Sequence, residues 1–171
     1  MTKRIFMTHQ KKKIPDVIHY INDYLDNYKE YEIYVGCDSQ VNKRNTIYSV
    51  VIGLRRIIDG VGHGVHVIHT KEKEKLTGNK KGDVIGRLWQ EVVKVSEVAV
   101  MLTENGFDIS SIEPQVDINA KKFSDGSKTE NYSNAIYRQS LGYLKGLGFV
   151  NAKAKPESPI SSYAADFYCK K

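Results

Sequence analysis

Tyr31-Glu32-Ile33-Tyr34-Val35-Gly36-Cys37-Asp38-Ser39-Gln40 is an apolar run that ends on an acid. β-Branched and aromatic residues dominate it and no proline interrupts it, so it reads as a strand. Side chains alternate across a strand, which puts Ile33, Val35 and Cys37 on one face and Tyr34, Gly36 and Asp38 on the other. Gly36 leaves open space beside the acid. Asp-Ser is also common turn chemistry, so Asp38 is either a turn-former or a carboxylate held at the lip of a sheet.

Before this strand, Ile14, Val17, Ile18, Ile21, Tyr24, Leu25 and Tyr28 recur at helical spacing. Pro15 suits the first helical position and Asp16 the positive end of the helix. Lys11-Lys12-Lys13 is either a solvated terminal charge run or a phosphate contact. After the strand, Val41–Asn45 reads as a polar turn and Thr46–Ile58 as a second strand. Asp59-Gly60 is hairpin chemistry leading to a third strand over Gly64–Thr70. On that strand His63 and His69 share a face and His66 the other, so the three do not converge on a metal.

The segment 71–81, rich in lysine, reads as a charged loop. Asp83 reads as the N-cap of a helix running to Glu104 and ending at Asn105-Gly106. Glu91 and Glu97 both lie in this apolar helix. Glu91, among Leu88, Val92 and Val95, either binds a cation or faces the rim and pairs with Lys94 or Arg87, because a buried unpaired carboxylate costs several kcal/mol. A fourth strand over Ile109–Asn119 also carries an acid, Asp117. A loop of 120–131 with Lys121, Lys122 and Lys128 follows, then a helix over Tyr132–Leu147. A fifth strand spans Phe149–Lys155, and a last helix, capped by Ser161 or Ser162, carries Asp166.

The chain has 171 residues, 40% of them hydrophobic and 27% charged, which fits one globular domain with a sizeable core. No apolar run approaches the roughly 20 residues that span a bilayer. Cys37 and Cys169 are too few for a disulfide framework and match no zinc spacing, which points to reduced thiols in a cytoplasmic protein. A net charge of +6 mildly favours an anionic partner.

The element order allows Asp38, Glu91, Asp117 and Asp166 to meet at one edge of the sheet. Grouped carboxylates repel unless a hard cation sits among them, and Mg²⁺ or Mn²⁺ takes oxygen ligands. Two such ions, roughly 3.5–4 Å apart, activate water and stabilise the leaving oxygen of a phosphodiester.

The chain resembles the YkuK-type family of ribonuclease H-like proteins. The likeness rests on Tyr34-Val35-Gly36-Cys37-Asp38-Ser39-Gln40, Arg87-Leu88-Trp89-Gln90-Glu91-Val92 and Val116-Asp117-Ile118-Asn119. It continues through Tyr132-Ser133-Asn134, the segment from Gly142 to Phe149, Lys155-Pro156-Glu157 and Ser161-Ser162-Tyr163-Ala164-Ala165-Asp166. It implies an α/β ribonuclease H-like fold over residues 1–171. The expected sheet is mixed and five-stranded, order 3-2-1-4-5, flanked by helices, with 1–30 as an N-terminal tail and helix. It also implies a divalent-metal-dependent nuclease with Asp38 bridging two ions and Glu91, Asp117 and Asp166 completing the site. Nucleic acid, as RNA, DNA or hybrid, would be held by lysines of the loops 71–81 and 120–128. Two other readings stand beside it: a nucleic-acid-binding or scaffolding module without turnover, and an enzyme acting on a small phosphorylated ligand. Cys37 departs from the small hydroxylic residue expected there.

Overall fold

Strand alternation and one long apolar helix build the molecule. The computed structural model describes residues 4–75, 80–119 and 132–170. Its strands are β1 (Phe6–Thr8), β2 (Lys13–Ile14), β3 (Glu30–Asn42), β4 (Asn45–Ile58), β5 (Val61–Lys75), β6 (Ile112–Asn119) and β7 (Lys153–Lys155). They form one sheet in the order β2-β1-β5-β4-β3-β6-β7. β6 lies parallel to both β3 and β7, and the other pairings are antiparallel. The helices are α1 (Val17–Leu25), α2 (Lys80–Glu104), α3 (Tyr132–Gly146) and α4 (Asp166–Lys170), the last preceded by a π-helix over Ile160–Ala165.

On one face of the sheet Ile33, Val35 and Cys37 pack with Val92, Val95, Val98, Ala99 and Leu102 of α2 and Leu144 of α3, all fully buried. Each such aliphatic side chain contributes roughly 1.5–3 kcal/mol on burial, so this face carries most of the core. On the other face Val51 packs with Ile160, Ala165 and Tyr168 in a smaller cluster.

Several expectations are corrected. The sheet has seven strands rather than five, and its order differs accordingly. The two additional strands come from the segment expected to be tail and helix: β1 pairs with β2 on one side and with the edge of β5 on the other. Short extended pieces of this kind leave too little apolar alternation to be legible. Asp16, not Pro15, opens α1, accepting a hydrogen bond from the His19 N–H at 3.0 Å. α2 begins at Lys80, so Asp83 lies inside it and not at its cap. The segment Lys71–Lys75 is the end of β5 rather than loop. The loop expected over 120–131 lies outside the described residues, as do residues 76–79.

β4 and β5 are joined by Asp59-Gly60, both with positive φ (52° and 76°), as a two-residue hairpin between right-twisted strands requires. A bulge further along changes the parity of β5. His63 pairs with Arg56 and His66 with Leu54, so His63 falls on the face of His66 and not of His69. Gly64, at φ 48°, supplies the left-handed residue there. His66 stacks on Tyr24 of α1, while His69 stacks on Tyr168 of α4 across the sheet.

Candidate active site

Parallel pairing of β3 with β6 brings the first two acids together. Cys37 lies opposite Val116, so the next residues, Asp38 and Asp117, are neighbours on the face away from α2. The third acid arrives through a close approach of backbone. A Cβ on Gly36 would stand 2.8 Å from the Ser161 nitrogen and 3.0 Å from Ile160 Cγ2. The space expected beside Asp38 is therefore filled by the π-helix itself. Buried Gln115 fixes its start, its side-chain oxygen accepting from the Ile160 N–H at 2.8 Å. From that seat the chain continues into α4, whose first residue is Asp166.

The fourth acid comes from the other face. Ser39 points toward α2, where its hydroxyl donates to Glu91 Oε1. Arg87 Nη1 donates to the Ser39 carbonyl (2.7 Å) and to its hydroxyl oxygen (2.9 Å). Glu91 is only 2% exposed. Its second oxygen, Oε2, has no hydrogen-bond partner among the described residues. Glu97 is different: its side chain is 43% exposed and Arg4 binds it. Lys94, one of the rim partners considered for Glu91, instead bonds Glu72 and Glu74, each at 2.6 Å. The helix therefore offers Glu91, not Glu97, to the edge that holds Asp38.

Burial pushes the Asp38 carboxyl up to about 6; the Ser39 N–H at 2.8 Å opposes this, and Asp117 and Asp166 add to it. Glu91 is held well above the ordinary carboxylate range, first by burial and then, against the Ser39 hydroxyl, by Asp38 and Asp117. Asp38 thus feels Asp117 and Asp166, and Glu91 feels Asp38 and Asp117. Each is nevertheless engaged separately. Asp117 Oδ1 accepts from Lys155 Nζ (2.6 Å) and the Ser162 hydroxyl (3.0 Å), and Asp166 Oδ2 accepts from Lys170 Nζ (2.6 Å). Among the described residues, no three His, Cys, Asp or Glu side chains close on a common point as a metal cage would.

Ser39, Arg87, Lys155 and Ser162 form the immediate surroundings of the acids; sequence reading offered Arg87 as a rim partner of Glu91 and Ser162 as a helix cap, and gave Ser39 and Lys155 no role. Their signal was present, since each lies in a quoted motif, but contacts between residues so far apart in the chain are invisible to local pattern. Ser162 bonds Asp117, and the Ser161 hydroxyl donates to the Ser158 carbonyl (3.3 Å), so neither acts as the expected helix cap. Cys37 faces the core, and Cys169 of α4 lies on the other side of the sheet, its thiol donating to the Asp38 carbonyl at 3.1 Å.

Residues 14–170 match the family model described as Ribonuclease H-like. The chain belongs to the ribonuclease H-like family. No curated protein and no solved structure matches it. Membership of the ribonuclease H-like family suggests nuclease-type chemistry on nucleic acid. No helix among the described residues is long and apolar enough to cross a membrane.

Proposed function

We propose that this chain, acting as one domain of the YkuK type, is a divalent-metal-dependent nuclease that hydrolyses phosphodiester bonds of a nucleic acid. The observation that carries the reading is Glu91: a buried carboxylate with one oxygen unpartnered among the described residues, raised first by burial and then by Asp38 and Asp117. A group of this kind is costly when ionised unless a cation joins it. The donor set fits a hard ion, being carboxylate oxygens throughout. Asp38, Glu91, Asp117 and Asp166 would hold Mg²⁺ or Mn²⁺, which when bound supplies an activated water and charge stabilisation at the phosphate.

This chain's own groups do the rest. The Ser39 hydroxyl and Arg87 fix the position of Glu91 and offset part of its charge. Ser162 orients Asp117, and the Lys155 ammonium pairs with that carboxylate at 2.6 Å. The packing of Ile160 and Ser161 on Gly36 holds the π-helix, and with it Asp166, at the sheet edge.

The lysine pairs of Asp117 and Asp166 favour a second reading, a nucleic-acid-binding module without turnover, because they balance two of the acids with no ion at all. Cleavage of labelled DNA, RNA and hybrid substrates in Mn²⁺ or Mg²⁺, against EDTA, separates the two. Metal-dependent cleavage that drops by at least about 10²-fold in Asp38→Asn is the expected result. Retention of the substrates without cleavage by the wild type would establish the binding module instead.

A further inference from the structure

Past Asp38 the sheet continues as a three-stranded ribbon, and its register fixes what each face carries. Asp38 pairs with Ser49 and Ser49 with Lys71; Gln40 with Ile47 and Ile47 with Lys73; Asn42 with Asn45 and Asn45 with Lys75. Directly opposed residues share a face, so Lys71, Lys73 and Lys75 all lie on the face of Asp38. All three are exposed. The carboxylates between them, Glu72 and Glu74, lie on the opposite face, where Lys94 binds both and Arg4 binds Glu72. The alternation Lys-Glu-Lys-Glu-Lys thus sorts its charges by parity, acids inward against α2 and lysines outward.

Among the described residues, the strand positions of this face past Asp38 carry no carboxylate: they are Gln40, Asn42, Asn45, Ile47, Lys73 and Lys75. At the ribbon's tip the β3–β4 turn adds exposed Lys43 and Arg44. α4 ends over the near end of the ribbon, its Cys169 thiol donating to the Ile47 carbonyl at 3.7 Å.

We propose that this lysine face is the track along which the backbone of one nucleic-acid strand lies, leading to Asp38. Lysines on alternate positions of a strand recur about every 6.8 Å, a spacing comparable to that of successive phosphates along an extended strand. Lys71, Lys73 and Lys75 each take a phosphate, Lys43 and Arg44 hold the strand at the tip, and the amides of Gln40, Asn42 and Asn45 bond phosphate or sugar oxygens. Such contacts position a strand without reading its sequence. The part of this inference that concerns delivery to the acids rests on the nuclease reading; the binding itself does not.

The test is fluorescence anisotropy of labelled single-stranded DNA and RNA in EDTA across a salt series. Wild type is compared with Lys71→Gln/Lys73→Gln/Lys75→Gln, with the corresponding triple Arg variant, and with Lys11→Gln/Lys12→Gln/Lys13→Gln. The last removes the same charge from residues 11–13, which lie beyond β1 and off the three-stranded ribbon. Loss of three phosphate contacts lowers the slope of log K against log salt by about 2. That loss is expected in the Gln triple of β5, with the slope kept in the Arg triple and in the 11–13 triple. An unchanged slope in the β5 triple, an equal loss in the 11–13 triple, or no binding by wild type overturns the proposal. Cleavage of the same oligonucleotides in Mn²⁺ by wild type and Asp38→Asn reports separately on the nuclease reading, which can fail while the binding track stands.

Discussion

On one face of β3, Ile33, Val35 and Cys37 are fully buried beneath α2 and α3. On the other, Gly36 and Asp38 lie under a six-residue π-helix and the five residues of α4. The first face is dry and aliphatic, and its free energy comes from area removed from water. The second is held by the small cluster around Val51, a glycine-mediated backbone approach and a glutamine hydrogen bond, and it keeps Asp38 partly desolvated at a cost in stability. The difference teaches that the strand holds the fold with one face and Asp38 with the other, and that charge enters the core face only at the strand's end, where Ser39 meets Glu91. An isolated helix pair could not do this so simply, since alternation is what sends adjacent residues to opposite sides.

The comparison breaks most visibly at Ile33. Ile33→Ala removes buried aliphatic volume from the helix face and costs about 2–5 kcal/mol in urea unfolding. Cleavage per folded molecule is expected to stay near wild type, and a parallel loss of activity would show that the two faces are not separable. A smaller effect is expected from Gly36→Ala. Its methyl group meets the Ser161 backbone at 2.8 Å, so the π-helix must move. The cost is about 1–3 kcal/mol of overpacking. Here activity should fall further than stability, because Ser162 and Asp166 travel with that helix. Chemical denaturation and cleavage on the same samples decide it.

The smallest effect is a pH dependence. The folded Asp38 carboxyl is raised from 3.8 to about 6, so between these values the folded state binds a proton that the unfolded chain releases. Its contribution to stability is therefore favourable at low pH and is lost as pH rises through about 6. His69 acts in the opposite sense: burial lowers it from 6.5 to about 4, and its contribution is lost as pH falls through that window. Comparing Asp38→Asn with wild type in EDTA cancels the histidine. The variant should gain stability relative to wild type as pH rises from about 4 to about 6, then hold a constant lead. A difference that does not change with pH, measured by thermal unfolding, would remove the desolvated-acid account of this face.

The local devices were legible because their causes are local. The alternation of Ile33 to Asp38 placed the acid on the face away from the core. Asp59-Gly60 announced its hairpin, and the apolar stripe of α2 announced a buried helix. Less was legible where charge had to choose a partner. Only its apolar neighbours set Glu91 apart from Glu97 in sequence, whereas in the structure Arg4, 93 positions from Glu97, takes Glu97 and leaves Glu91 to Ser39.

What the sequence determined by itself was which residues alternate and which recur at helical spacing, since those periods follow from backbone geometry alone. Only the tertiary structure decided that Lys71–Lys75 is strand. By composition it is loop, and it becomes strand because β4 offers a pairing edge while Lys94 and Arg4 neutralise the acids on its inner face. It also decided the parity change at the β5 bulge, the addition of β1 and β2 to the β5 edge, and the seat of the π-helix on Gly36. Each depends on a surface made by residues distant in the chain. The energies that settle such contacts are absent until the chain has closed around them.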